Sequence, residues 1–298
     1  MTTTRKILFG AFGLYALGLI LIIAIFGFTR QDNEEFQPQN EFKLDTWINL
    51  PGPFDINKAV LYLILSGILT VVTMVYIANR MQARPNRVQT AIETLYGLMR
   101  DNITRGNMDQ RMAAKWFPFI GTLFLFIWFN NLLGYIPLPT NTEETWDLFG
   151  IQVPAFAIYA ATANISIPLV LALIVFVSYT AEGIRAKGAG GYLKSLIPAG
   201  VHGGMAAFIF VLEFLSNLMR LVSLSVRLFA NILAGHLIIL FMAGGLAVLL
   251  GIEALGWFTL PIAIALFLFE VGLVATLQAF IFATLSAIYL GGAVAESH

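Results

Sequence analysis

The stretch LSVRLFANILAGH at 224–236 holds an arginine, Arg227, inside a run that is otherwise apolar. A charged side chain at the centre of a bilayer costs at least ~2.5–3.5 kcal/mol even on the mildest scale, so such a group faces water, a protein interior or a counter-charge. At about 100° of rotation per residue, five polar residues fall within roughly 40° of Arg227 on one helix. They are Glu213, Ser216, Arg220, Ser223 and Asn231. His236 falls near 180°, on the opposite face. Glu213 is the nearest acid in the same stretch, and it lies about 21 Å from Arg227 along a helix axis. A structural ion pair between Glu213 and Arg220 is one reading of those two residues. Arg227 has no such neighbour, so its expected counter-charge lies on another chain.

Folding 205–251 and 254–294 as a hairpin tests what could meet the stripe. Turn signals at Gly251, Glu253 and Gly256 centre the hairpin near residue 253. Equal distances from that point pair His236 with Glu270 and Arg227 with Gln278 or its neighbour, and put Glu213 opposite the end of the chain. An imidazole beside a carboxylate then sits about 14 Å from the level of Arg227. Histidine titrates near 6.5 and burial raises a carboxylate, so such a pair can exchange protons near neutral pH. Arginine cannot. A titratable pair on one side, a fixed cation in the middle and an acid on the other side describe two interrupted proton routes with a barrier between them. His236 alone would read as a satisfied core histidine; the matched depth of Glu270 favours the proton route.

The elements that carry these residues belong in a membrane. The 298 residues are 58% hydrophobic and 11% charged, against about 25% charged for an ordinary soluble domain. Mean hydropathy is +0.81. The net charge is zero, which gives no electrostatic basis for binding nucleic acid. There are no cysteines, which removes disulfides, thiolate metal sites and cysteine nucleophiles. No G-x-x-x-x-G-K-[ST] phosphate loop is present. No cofactor or metal is expected, and the chain reads as non-catalytic.

A span needs about 20 apolar residues. The runs 7–28, 57–79, 116–136 and 155–180 qualify. The run 7–28 is too long for a signal-peptide core and no A-x-A site follows it, so it reads as a retained span. The stretches 205–251 and 254–294 are each far longer than a ~30 Å core requires. Each is either a broken pair of spans or one long helix. The absence of Pro and the constant polar phase in the first favour long, steeply tilted helices. Basic loops at 80–115 and 181–203 alternate with acidic segments at 29–56 and 137–154. Basic loops stay cytoplasmic, which places both termini inside. Within 80–115, Val88, Ala91, Ile92, Leu95, Leu98, Met99 and Ile103 share one face. They predict an amphipathic helix, started near Pro85 and Asn86, that lies on the cytoplasmic membrane surface or packs on other subunits. The fold class expected is therefore all-α integral membrane, with about six transmembrane helices, the last two forming a long tilted hairpin. Residues 1–56 form an extra N-terminal helix and external acidic segment; 57–298 form the functional domain.

The motifs LSVRLFANILAGH at 224–236 and LQAFIFATLSAIYL at 277–290 closely resemble subunit a of the rotary F-type ATP synthase. FVLEFLSNLMRLVS at 210–223, FNNLLGYIPLP at 129–139 and ATANISIP at 161–168 resemble the same family. The likeness runs from about residue 57 to the end, leaving 7–28 and the acidic stretch after it outside. The resemblance implies a subunit standing beside a rotating ring of small two-helix subunits, each with one membrane carboxylate. It also implies peripheral stalk subunits as partners and two offset half-channels for protons. Arg227 then matches the arginine that meets the ring carboxylate, and Asn231 and Gln278 match polar residues near it. His236 and Glu270 match a pair that relatives carry in either order. Glu213 matches an acid of the cytoplasmic half-channel. Asn164 stands where some relatives carry an acid, and it is expected to line the outer half-channel with water, as Asn130 and Asn131 do unless they cap a helix end. Ser225 and Ala230 stand where small residues occur, and Pro168 is expected to kink its helix. The family works in a bacterial plasma membrane or an organelle's inner membrane. A secondary transporter predicts broken helices and paired half-repeats. A membrane scaffold predicts an Arg227 that serves packing only, and a voltage sensor predicts a denser arginine ladder.

Overall fold

A computed structural model describes residues 56–79, 86–148, 151–197, 201 and 203–294. Of the earlier chain it describes 13, 15–18, 20, 21, 24, 42, 44 and 46–48. In chain order the elements are β1 (Thr46–Ile48), β2 (Ile56–Asn57), α1 (Lys58–Asn79) and α2 (Arg87–Gly97), which continues as a π-helical segment, Leu98–Arg105. Then come α3 (Gln110–Leu133), β3 (Leu138–Leu148), β4 (Ile151–Ala157), α4 (Ser166–Lys187) and α5 (Ala189–Ser195). The last part is α6 (Gly204–Leu240), a π-helical turn Phe241–Gly245, α7 (Leu246–Leu250), α8 (Glu253–Phe269), a second π-helical turn Glu270–Val274, and α9 (Ala275–Val294).

Among the described residues, five helical stretches are long and apolar enough to cross a membrane: Lys58–Asn79, Gln110–Leu133, Ser166–Lys187, Gly204–Leu249 and Leu255–Val294. The polar residues of the fourth stretch lie on one unbroken helix, Gly204–Leu240, as the constant polar phase predicts, but beyond it the stretch kinks at Gly244, whose φ 162° and ψ −20° are non-helical. At 46 and 40 residues, the last two stretches are each longer than an upright helix needs to cross a ~30 Å core at ~1.5 Å per residue. The expected span 7–28 lies outside the described residues apart from the few helical positions between 13 and 24.

Two expectations need correction. The apolar run 155–180 is not one helix: 151–157 is strand β4, paired antiparallel with β3 from Leu148↔Ile151 to Leu138↔Ala157. Hydropathy alone does not separate an apolar strand from an apolar helix. Nor does Pro168 kink a helix. Helix α4 begins at Ser166, so Pro168 lies in the first turn, where its missing N–H costs nothing. Among the described residues the five candidate spans are helical, and the strands form two antiparallel pairs.

The chain divides by its contacts into two compact units, 44–233 with 273–298, and 1–43 with 234–272. In the larger unit, α9 packs against α3 and α4. Ala275, Ala279, Ala283 and Ala287 recur every fourth residue and all are fully buried. Lipid tails are as apolar as leucine, so helices in a bilayer gain from close approach, which small residues permit. Polar ties fix the register. Trp128 Nε1 donates to Thr276 Oγ1 at 3.0 Å. Asn131 Nδ2 donates to the Ala275 carbonyl at 3.2 Å and its Oδ1 accepts from Thr162 Oγ1 at 2.8 Å. Lys115 of α3 pairs with the buried Glu182 of α4, which Arg185 also approaches at 3.8 Å. Asn86 caps α2, its side chain accepting from Gln89 N. Met99 and Ile103 of the amphipathic segment are buried against this bundle, while Val88 is exposed.

The smaller unit holds the hairpin turn. Gly251 adopts φ 66°, a left-handed conformation that glycine takes without a Cβ penalty. Ala247, Ile252 and Leu255 close an apolar cluster around it. Tyr15 stacks on Phe258 with ring centres 4.1 Å apart and donates its hydroxyl to the Phe258 carbonyl at 3.1 Å.

Asn131 joins two elements to α3 through both ends of one buried amide. Asn131→Leu removes both bonds and orphans the Thr162 hydroxyl, a loss of about 1–3 kcal/mol. Thermal unfolding of the purified chain in detergent should show a clear fall in midpoint, whereas Asn164→Ala, at a half-buried position, should shift it little.

Candidate functional site

Within the larger unit the polar stripe of α6 divides into two places. The first is a cavity of about 310 Å³ that α6 shares with α4, α5 and α9. Glu213, Asn217 and Arg220 line it from α6, Tyr179 and Lys187 from α4, and Tyr289 from α9. Arg220 Nη2 lies 3.5 Å from Glu213 Oε1, and its guanidinium lies 5.5 Å from the centre of the Tyr289 ring. The ion pair read as one alternative for Glu213 and Arg220 is therefore present. It opens onto a polar cavity and is not sealed in a helix interface. Glu213 and Gly292 both line this cavity, so the acid does lie opposite the chain's end.

The second place surrounds Arg227. Its side chain is exposed, and its Nη2 meets Ser223 Oγ at 3.4 Å. Among the described residues it pairs with no carboxylate. Arg227 and the buried Gln278 line one narrow cleft with Leu224, Leu228, Ile281 and Phe282. The face of α6 that carries Ser223, Arg227, Ala230 and Asn231 is exposed. Leu224, Ser225, Leu228 and Ile232 on the other side are buried.

In the smaller unit, Glu270 opens the π-helical turn 270–274 and His236 is buried. The Glu270 carboxylate packs on the α6 backbone at Gly235, so closely that a Cβ there would overlap it. The imidazole-bearing residue is the next one along. Each within its own unit, Gly235 with Glu270, Arg227 with Gln278 and Glu213 with Gly292 are equidistant in sequence from the Ile252–Glu253 bond. The hairpin register expected from the turn signals differs from this by half a residue.

Asn164 is half-buried just before α4, and its Oδ1 accepts from Ser166 N at 3.0 Å. Neither Asn130 nor Asn131 caps a helix through its side chain. Asn131 is tied as described, while both side-chain atoms of the buried Asn130 lack a protein partner among the described residues. Gly235, Tyr289 and Asn217 were not singled out from sequence. A glycine inside a helical pattern signals close packing, so Gly235 was open to discovery. Tyr289 carries no local signal.

A helical membrane protein with these polar levels on a long hairpin defines a class, and comparison with known proteins gives its family. A family model described as ATP synthase A chain matches residues 60–291. ATP synthase subunit a of Pseudarthrobacter chlorophenolicus is 33% identical over 277 residues, 90% of this chain and 97% of the relative. Subunit a of Nocardioides sp. is 35% identical over 253 residues, 82% of this chain and 83% of its own. Subunit a of Pelagibacter ubique is 34% identical over 266 residues, 88% and 98% of the two chains. The chain belongs to the ATP synthase A chain family and is a multi-pass membrane protein.

The contact at Gly235 has a measurable consequence. Gly235→Ala forces the Glu270 carboxylate away, at a cost of about 1–3 kcal/mol for overpacking. Glu270→Ala should suppress most of that cost. A double-mutant cycle on thermal unfolding should therefore return a coupling above 0.5 kcal/mol, the usual floor for residues in contact.

Proposed function

We propose that the chain is the proton-channel subunit of an ATP synthase, and that it works against a rotating ring of small two-helix subunits, each bearing one membrane carboxylate. The observation that carries this reading is Arg227, an exposed cation on a spanning helix with no acid paired to it among the described residues. A ring carboxylate supplies the missing counter-charge.

In this reading protons enter from the outer side past water held near Asn164 and Asn130. A buried amide without protein partners is the kind of group that ordered water satisfies. His236 and Glu270 pass the proton on, and it neutralises a ring carboxylate, which can then face lipid at modest cost. The ring turns, and the acid releases its proton into the cavity lined by Glu213. The carboxylate so formed is drawn to Arg227, which Gln278 and Asn231 help to orient. Because Arg227 keeps its own proton, it blocks a direct leak between the two routes. A membrane potential of ~100–200 mV supplies roughly 2.3–4.6 kcal/mol per charge, so several protons combine for each ATP. The alternation of basic and acidic loops supports an orientation with both termini in the cytoplasm of a bacterial cell. Peripheral stalk subunits are further expected partners.

The test is Arg227→Ala and Arg227→Lys in the assembled complex in sealed membranes. Proton-driven ATP synthesis should vanish with both. The alanine variant should also dissipate an imposed pH gradient measurably faster than the parent complex. Synthesis at the parental rate with Arg227→Ala would overturn the mechanism, and purification of the chain without any carboxylate-bearing small subunit would remove its partner.

A further inference from the structure

A second cavity, of about 260 Å³, shares no lining residue with the polar stripe and lies between Tyr96 with the π-helical segment 98–105 and the start of α3. Tyr96, Arg100, Thr104 and Arg105 line one side, and Gln110 and Phe117 the other. Two arginines contribute to one small cavity, and they are unequally occupied. Arg105 meets Asp101 at 3.1 Å in an exposed pair, which contributes little. Arg100 pairs with no carboxylate among the described residues; its guanidinium lies 5.8 Å from the centre of the Tyr96 ring. The cavity therefore carries net positive charge.

Gln110 is the first residue of α3, and the carboxylate of its N-cap Asp109 offsets the positive end of that helix, so attraction for an anion rests on the two guanidinium groups. The Thr104 hydroxyl donates to the Met99 carbonyl at 2.7 Å, which leaves donation to the guanidinium groups. The rest of the wall is apolar: Phe117, the Tyr96 ring and Ala113. The guanidinium pair comes from the π-helical segment and the apolar wall from the first turns of a helix long and apolar enough to cross a membrane, a combination that suits the boundary between phospholipid headgroups and acyl chains. A free phosphate would use only the first half of that surface.

We propose that this cavity binds the headgroup phosphate of an anionic phospholipid in the leaflet beside the basic loop. Arg100 and Arg105 hold the phosphate, and Phe117 and Tyr96 flank the start of the acyl chains. Basic pockets beside spanning helices recognise lipid phosphates by this combination.

The full chain, reconstituted in phosphatidylcholine vesicles containing a few mole per cent of photoreactive phosphatidylglycerol, tests it. Cross-links are mapped by mass spectrometry and compared with those from photoreactive phosphatidylcholine of the same acyl chains. Phosphatidylglycerol should label residues 96–117 severalfold more than phosphatidylcholine does. Arg100→Ala with Arg105→Ala should reduce that labelling by about fivefold for each arginine removed, while labelling along α1 is unchanged. Arg100→Lys with Arg105→Lys should keep most of it. Equal labelling by the two lipids in the parent chain overturns the proposal, as does undiminished labelling in the double alanine variant. Loss of labelling on adding excess inorganic phosphate, at an ionic strength matched with chloride, would make this a site for free phosphate and not for lipid.

Discussion

A fixed positive charge in a hydrocarbon slab must be met by something, and among the described residues no carboxylate meets it. Arg227 is exposed and bonds within its own helix only to a serine hydroxyl. Desolvating such a group unpaired costs several kcal/mol, more than a marginally stable protein can concede at one position. The exposed residues that share its face include Ser223 and Ala230, which are small, and Asn231, which is polar. Together they make a surface that another helix can approach closely. One face of α6 is thus built for a neighbour, and the demands on the rest of the larger unit follow from keeping that face open.

A helix with a free face needs support from its other side and from its partner in the hairpin. Helix α9 is held by its alanine repeat against α3 and α4, and by bonds that end on main-chain or side-chain oxygens at Ala275 and Thr276. Close packing of small residues gives little freedom to slide, and the polar bonds set the register along the axis. This holds Gln278 in place in the cleft it lines with Leu224, Leu228 and Arg227. The same bundle closes its loop-side end with the buried Glu182, whose lysine partner comes from the adjacent helix.

Much of this was legible in the sequence. The period of the polar residues in 213–231 gave one stripe, and the structure divides it: Ser223, Arg227 and Asn231 are exposed, whereas Glu213 and Arg220 are half-buried and line a cavity. Turn residues at 251–256 set a register that the packing at Gly235, at Gln278 and at Gly292 follows within half a residue. What failed was the boundary between strand and helix. In 155–180, apolar character ran through two kinds of backbone, and the signal that separated them was a single Pro168 with its fixed φ and missing N–H. Tyr179, Tyr289 and Lys187 could not be foreseen at the Glu213 cavity, because they reach it from three-dimensional neighbours and carry no local pattern. The alanine repeat of α9 was visible but is bland. Alanines spaced four apart mean close packing only once another helix is known to lie there.

The choice of an amide at 278 is the last step in the same logic. A carboxylate there would satisfy Arg227 from within the chain, and the exposed guanidinium would no longer require a partner. An apolar side chain would leave the inner edge of the guanidinium with N–H groups facing hydrocarbon, each a costly unsatisfied donor. Glutamine offers a neutral acceptor, which can orient a planar five-donor group without cancelling its charge. Arginine is matched to that role because its charge survives desolvation, whereas a buried lysine readily loses its proton. In the reading proposed above, Arg227 and Gln278, which line one cleft, hold a permanent charge in place while leaving it available, which is the property an external, mobile carboxylate would need to find.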